Sequence, residues 1–243
     1  MAKFGLVTEG ITDQIVIENI LCGFYKDYDD LDEEIFPLEP PRDETDNKQA
    51  HSEFGTGWSA IFNYLSETRF RDDVLNSKYV IIQIDTDIAG EFDCSITQPF
   101  EDIINCVIQK FINKINSSVF TKISTFKWRI NINPSLLDYQ YLLFYTRYAH
   151  RIIFAISVHS LECWILPIYK TKKVEQIIEC EKKLKYAVAT STSKRIKKLK
   201  TNKKYDDYNK LSQDFLNYKK LMKIVSQNSS FQIFIEALPS AIE

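Results

Sequence analysis

Four acidic residues in this chain stand where acids are unfavourable unless something meets their charge. Asp85 and Asp87 close the stretch 79–90 (YVIIQIDTDIAG), whose apolar run of Tyr79, Val80, Ile81, Ile82 and Ile84 reads as a strand buried on both faces. Spaced i, i+2, the two side chains converge whether the strand continues through them or ends there. Glu9 follows a first short strand, residues 3–8 (KFGLVT), and Glu162 follows a later one, residues 151–158 (RIIFAISV). Carboxylates at the ends of buried strands need a cation, an arginine or water beside them. Magnesium takes oxygen ligands and keeps several waters, so these acids suffice to hold it. The chemistry this would support is cleavage or formation of a phosphodiester, in which the ion neutralises phosphate charge and activates a water or hydroxyl.

The elements around these acids fit that placement. After Glu9-Gly10, the segment 11–24 carries Ile11, Ile15, Ile17, Ile20 and Leu21 at mostly helical spacing, with Thr12 and Asp13 as first-turn polar residues. Residues 58–68 (WSAIFNYLSET) read as a second helix leading into the central strand, and 100–115 (FEDIINCVIQKFINKI) as a third, amphipathic one. Residues 124–132 lean towards strand, and Asn133-Pro134 opens a helix running to about Tyr148. Ser160 can cap a helix beginning LECWIL, which puts Glu162 in its first turn. Strand, helix, strand in this order is the pattern of an α/β fold, whose ligands bind outside the carboxyl ends of the strands. Trp58 and Trp164 read as core anchors. His159, at a strand end, reads as a local hydrogen-bond partner outside the catalytic set.

Composition sets the limits. The chain has 243 residues, 44% of them apolar, as in a globular protein with a sizeable core. No run approaches the roughly 20 apolar residues of a membrane span, and the start MAKFGLVTEG lacks a signal-peptide layout, so a cytoplasmic protein is expected. Cys22, Cys94, Cys106, Cys163 and Cys180 are odd in number and scattered, indicating neither a disulfide framework nor a zinc site. The net charge of −2 conceals two blocks: residues 27–46 hold ten carboxylates against one Arg, and residues 182–204 hold ten Lys and Arg and no acid. The acidic block, interrupted by Pro37, Pro40 and Pro41, reads as a loop or insertion over residues 26–57. The basic block, with Lys194, Arg195, Lys197, Lys198 and Lys200 at its centre, reads either as a solvated segment or as a track for a phosphate backbone. Residues 172–188 and 205–225 look helical and charged, and 231–238 form a short apolar finish. The expected division is a catalytic domain over 1–169 and a helical, basic C-terminal extension over 170–243.

VTEGITD at residues 7–13 resembles the first motif of the topoisomerase-primase (Toprim) domain, a glutamate after the first strand, then Gly, then an Asp three residues on. IDTD at 84–87 resembles its DxD motif. HSLECWIL at 159–166 is similar to the third acidic motif of small Toprim nucleases of bacterial defence systems and of overcoming-lysogenisation-defect nucleases. The resemblance covers roughly residues 3–167. It implies a Toprim-like α/β fold with a mostly parallel central sheet between helices. It implies Glu9 as general acid/base or metal ligand, Asp85 and Asp87 as magnesium (or manganese) ligands, Asp13 as a further ligand or neighbour, and Glu162 at a second metal position. Asp13 and Glu162 also read as ordinary first-turn acids. The activity implied is a metal-dependent nuclease hydrolysing phosphodiester bonds of RNA or DNA, acting as a toxic anti-phage effector restrained by a regulatory partner such as an ATPase. A homodimer joining the acidic loop to the basic run of a second copy is a further expectation. Two alternatives use the same residues: a non-catalytic nucleic-acid or partner-binding module on a Toprim scaffold, and a primase-like nucleotidyl transferase, for which no Gly-rich phosphate loop is visible.

Overall fold

A computed structural model describes residues 2–42, 57–95, 100–126, 144–170 and 178–242. Its centre is a four-stranded sheet, β1 (Ala2–Val7), β2 (Ile35–Glu39), β3 (Ser77–Asp85) and β4 (Ile152–Ser157), in the order β2-β1-β3-β4 with every pair parallel. Parallel neighbours need crossovers, and helices supply them. Following β1 is α1 (Ile11–Phe24); α2 (Trp58–Ser66) and α3 (Thr68–Asn76) precede β3; α4 (Phe100–Phe126) and α5 (Phe144–Tyr148) lie between β3 and β4. After β4 come α6 (Glu162–Tyr169), α7 (Cys180–Thr190), α8 (Tyr205–Ser212), α9 (Tyr218–Val225) and α10 (Ser229–Ala237).

The helices form a layer on each face of the sheet, and the alternation along each strand shows why. From β3, Ile81 enters a core with α1 and the helices α6 to α10, whereas Val80, Ile82 and Ile84 enter a second core with α2, α3 and α4. β4 divides likewise, Ile153 and Ala155 facing the first core and Ile152 and Ile156 the second. A strand covered on both faces has no solvated side to mark with polar residues, hence the unbroken apolar run before Asp85. Gln83 and Asp85, two residues apart, continue the Ile81 face and so point towards α1.

Several expectations are corrected. The acidic stretch contains a regular element, the edge strand β2, held by Ile35 against the core and paired with β1. Pro37 is tolerated there because an edge strand need not donate on its outer side. Ser124, Thr125 and Phe126 continue α4 rather than opening a strand; the remainder of the strand expected over 124–132, and the Asn133-Pro134 helix start, lie outside the described residues. The helix expected over 205–225 is two helices, α8 and α9, separated by a 3-10 turn at Gln213–Leu216; Asn217 then caps α9 by accepting from the Lys220 amide at 3.1 Å. Four cysteines are paired, Cys94 with Cys106 and Cys163 with Cys180, leaving Cys22 as a free thiol. The fold brings α4 back to the turn after β3, and α7 back to the start of α6, with Cα separations of 5.8 and 5.2 Å that suit a disulfide. Among the described residues no helix is long and apolar enough to cross a membrane.

Candidate active site

Glu9 and Asp13, Asp85 and Asp87, and Glu162 come from three segments of the chain, after β1, β3 and β4, and lie close enough for their charges to act on one another. Each owes its place to a local feature. Glu9 sits in the short link between β1 and α1, where its Oε1 accepts from the Asp85 amide at 2.7 Å. Asp13 lies in the first turn of α1 and accepts from the Gly10 amide, the carboxylate half of a capping box. Asp85 is the last residue of β3, only 9% exposed, and its Oδ1 accepts from Ser157 Oγ at 2.5 Å and from Gln83 Nε2 at 2.9 Å. Trp58 Nε1 donates to the Asp85 carbonyl at 2.8 Å, so a fully buried indole fixes the strand end as well as the core. Glu162 begins α6, 2% exposed; its Oε1 accepts from Tyr208 Oη of α8 at 2.5 Å and meets Lys203 Nζ at 3.2 Å.

The electrostatics show what the cluster lacks. Burial, opposed in part by the Asp85 amide and increased by Asp87, pushes Glu9 up to about 7. Burial and then the charges of Glu162 and Glu9 push Asp13 up to about 8. Burial, with Glu9 and Asp13 next, drives Asp85 well above the carboxylate range. Glu162 alone goes the other way: burial would raise it, but Lys203, Tyr208 and Ser160 together hold it below its ordinary value. Glu9, Asp13 and Asp85 therefore have too little positive charge nearby to offset their burial, and one lysine is already committed to Glu162. Among the described residues, no three acidic, histidine or cysteine side chains are grouped closely enough to hold an ion as they stand. Hard carboxylate oxygens with an unmet need for cationic charge are nevertheless the donor set that magnesium or manganese takes, and on that chemistry the residues fit a divalent ion.

The acids expected to act together are thus brought together, and His159 joins them. Its φ of 68° places it in a left-handed turn, its amide donates to Thr86 Oγ1 at 2.8 Å, and burial lowers its pKa while nearby Asp87 opposes that shift. The basic residues separate. Lys194, Arg195, Lys197, Lys198 and Lys200 are exposed on the connection from α7 to α8, which Ile196 and Leu199 pin to the core. The residue of that run which reaches the acids is Lys203, just beyond the expected set. Gln83, Ser157, Tyr208 and Lys203 carry no local sequence signal for their roles, since each meets its acid through the fold. Gly57 is also unannounced: at φ 61° it stands against Glu9, and a Cβ there would come within 3.2 Å of Oε2.

Fold and site together define an all-parallel α/β protein with a carboxylate crevice at the carboxyl ends of its strands. Compared with protein-family models, with curated proteins and with solved structures, the chain finds no match.

Proposed function

We propose that this protein is a metal-dependent nuclease that hydrolyses phosphodiester bonds, with Glu9, Asp13, Asp85, Asp87 and Glu162 holding magnesium or manganese. The observation that carries the proposal is the convergence of acids at the strand ends, Asp85 and Glu162 buried, Glu9 and Asp13 half-buried and Asp87 exposed, with burial and neighbouring carboxylates raising Glu9, Asp13 and Asp85. A bound divalent ion would neutralise phosphate charge and lower the pKa of a water. Glu9, hydrogen-bonded to the Asp85 amide at the end of β3, would move a proton to or from the attacking or leaving oxygen. Asp85, oriented by Ser157 and Gln83, and Asp87 would hold the ion, while Lys203 keeps Glu162 charged. The resemblance to small Toprim nucleases supports the same reading and extends it to a toxic effector of anti-phage defence, restrained by a protein partner. Purified protein incubated with RNA and with DNA should cleave one of them in magnesium or manganese and not in EDTA. Glu9→Gln and Asp85→Asn should each lower the rate by about 100-fold or more. Unchanged metal-dependent cleavage in both variants would overturn the proposal.

One observation favours a second reading, a binding module without catalysis. Lys203 Nζ lies 3.2 Å from Glu162 and 3.8 Å from Glu181, supplying part of the missing charge without an ion. Calorimetric titration of manganese into wild type and Asp87→Ala separates the two: heats abolished by the substitution support the nuclease, and indistinguishable traces support the module.

A further inference from the structure

The residues on either side of Lys203 help to line a cleft of about 610 Å³, whose walls include Ile11, Arg42, Lys200, Lys204, Tyr205 and Lys210. That volume falls in the range of about 300–1,000 Å³ typical of small-ligand sites and is enough for a nucleotide. Four cations face two carboxylates in it, Asp206 and Asp207, and Asp207 is buried and engaged by Asn202 Nδ2 at 3.1 Å. Glu18 pairs with Arg42, and the surplus left by the three lysines is still positive although the protein as a whole carries −2.

Arg42 is built into the cleft rather than waving over it. Its Nε donates to Gln14 Oε1 at 3.0 Å and its Nη2 to Glu18 Oε2 at 2.6 Å. Gln14 is itself fully buried and donates to the Pro40 carbonyl at 2.6 Å. The guanidinium so fixed lies over the Tyr205 ring, 5.2 Å from its centroid. A guanidinium and an aromatic ring held together are a platform on which a base can stack, while lysines around them take phosphates. Two of its lining residues tie the cleft to the acids through the chain: Ile11 follows Glu9-Gly10, and Lys204 follows Lys203, whose Nζ lies 3.2 Å from Glu162.

We infer that this cleft binds a nucleotide of a single-stranded substrate next to the bond cut at the acidic crevice, Tyr205 and Arg42 stacking its base and Lys200, Lys204 and Lys210 taking the flanking phosphates. The inference deepens the nuclease reading, on which its last element, the adjacent cut bond, depends. A duplex presents its bases edge-on and stacked upon one another, so a platform of this kind has nothing to receive from it; a single strand does. Arg42 comes from the acidic stretch and Lys210 from α8, which takes the interface away from the middle of the basic run.

The test uses the full chain carrying Glu9→Gln, in EDTA, so that no cleavage intrudes. A labelled single-stranded 12-mer of RNA, and one of DNA, is titrated by fluorescence anisotropy over a range of salt. Lys204→Ala with Lys210→Ala should weaken binding about tenfold or more at low salt and reduce the slope of log K against log salt by about 1.4, at about 0.7 for each single-strand phosphate that is no longer neutralised. Lys219→Ala with Lys223→Ala, exposed lysines of α9, should leave both unchanged. Tyr205→Ala should weaken binding about tenfold and Tyr205→Phe should restore it. Equal losses in the two double variants, or none in either, would overturn the inference. AMP is the second arm: if it binds as tightly as the 12-mer with the same dependence on Lys204 and Tyr205, the ligand is a free nucleotide and the strand assignment fails. Cleavage by otherwise wild-type protein separates this inference from the nuclease reading. Binding that depends on the cleft with no cleavage sinks the nuclease alone; cleavage with an unaltered KM in the Lys204/Lys210 and Tyr205 variants sinks the cleft alone.

Discussion

Glu9 and Asp13 link the site to the stability of the whole chain. Both have folded-state values raised above those of the free side chains, to about 7 and about 8, chiefly by burial. Between the unfolded and folded values the native state binds more protons than the unfolded one, so stability falls as pH rises through that window. For Glu9 alone the shift from 4.5 to about 7 corresponds to a loss on the order of 3 kcal/mol at pH 8 relative to pH 4. In EDTA the melting temperature should therefore drop on the order of 5–10 °C between pH 5 and pH 8, measured by calorimetry. Glu9→Gln should flatten that dependence and raise the melting temperature at pH 8, because the neutral amide needs no counter-charge. Manganese should restore stability to wild type at pH 8 and not to Glu9→Gln. A melting temperature that rises with pH in EDTA would contradict the account. At this scale the acids were legible because a carboxylate at the end of an apolar run conflicts with its surroundings wherever the chain goes. Lys203 and Tyr208 were not, since a lysine in a basic run and a tyrosine in a charged helix look solvated until α8 is laid against α6.

Elements were legible where periodicity was long and hidden where a short piece borrowed its stability from a neighbour. β3 announced itself by its apolar run and α1 by its spacing. β2 did not, because an edge strand of five residues, with Pro37 inside it and Glu33 and Glu34 before it, is defined by its ladder to β1. The cysteines illustrate the same limit. Separations of 12 and 17 residues match no disulfide or metal pattern, and only the return of α4 and α7 to earlier turns brings the sulfurs together. Disulfides persist in oxidising surroundings and are rare in cytosolic proteins, which sets this pairing against a cytoplasmic location. Iodoacetamide applied to protein denatured without reductant should modify Cys22 alone, and after reduction all five cysteines, as read by mass spectrometry. Modification of Cys163 or Cys180 before reduction would show that α6 and α7 are joined by packing alone. With the bridge present, adding reductant should lower the melting temperature, since closing a loop of this length contributes about 3 kcal/mol in the chain-entropy description.

At the scale of the molecule, the question is whether residues beyond 170 form an appendage or part of the core. α1 answers it from its own composition: Ile15, Val16, Ile17, Ile20 and Leu21 are buried, and so are Gln14 and Asn19, around nearly its whole circumference. A helix apolar on one stripe needs one partner layer, whereas one buried on all sides needs two. The sheet is one of them. The other is C-terminal: Leu211, Phe215, Leu221, Phe231 and Phe234 are fully buried in the same core as α1, and Trp164 stacks on Phe231 at 4.7 Å. Asn19 donates to Ser212 Oγ at 2.8 Å, and Gly23 lies so close to Phe215 that a Cβ would stand 1.8 Å from its carbonyl oxygen. Each large apolar side chain buried this way contributes about 1.5–3 kcal/mol. Ending the chain at residue 170 would strip those side chains from α1 and Trp164 at once, and would remove Lys203 and Tyr208 from Glu162. Such a chain should lack a cooperative thermal transition, bind ANS and lose the near-ultraviolet circular dichroism of its packed aromatics. Gly23→Ala in the full chain provides the graded counterpart, lowering the melting temperature by several degrees through the clash at Phe215 while leaving the acids in place. A truncated chain that melts cooperatively and still binds manganese would instead make residues 170–243 a separable extension, and the acidic crevice a property of the first 170 residues alone.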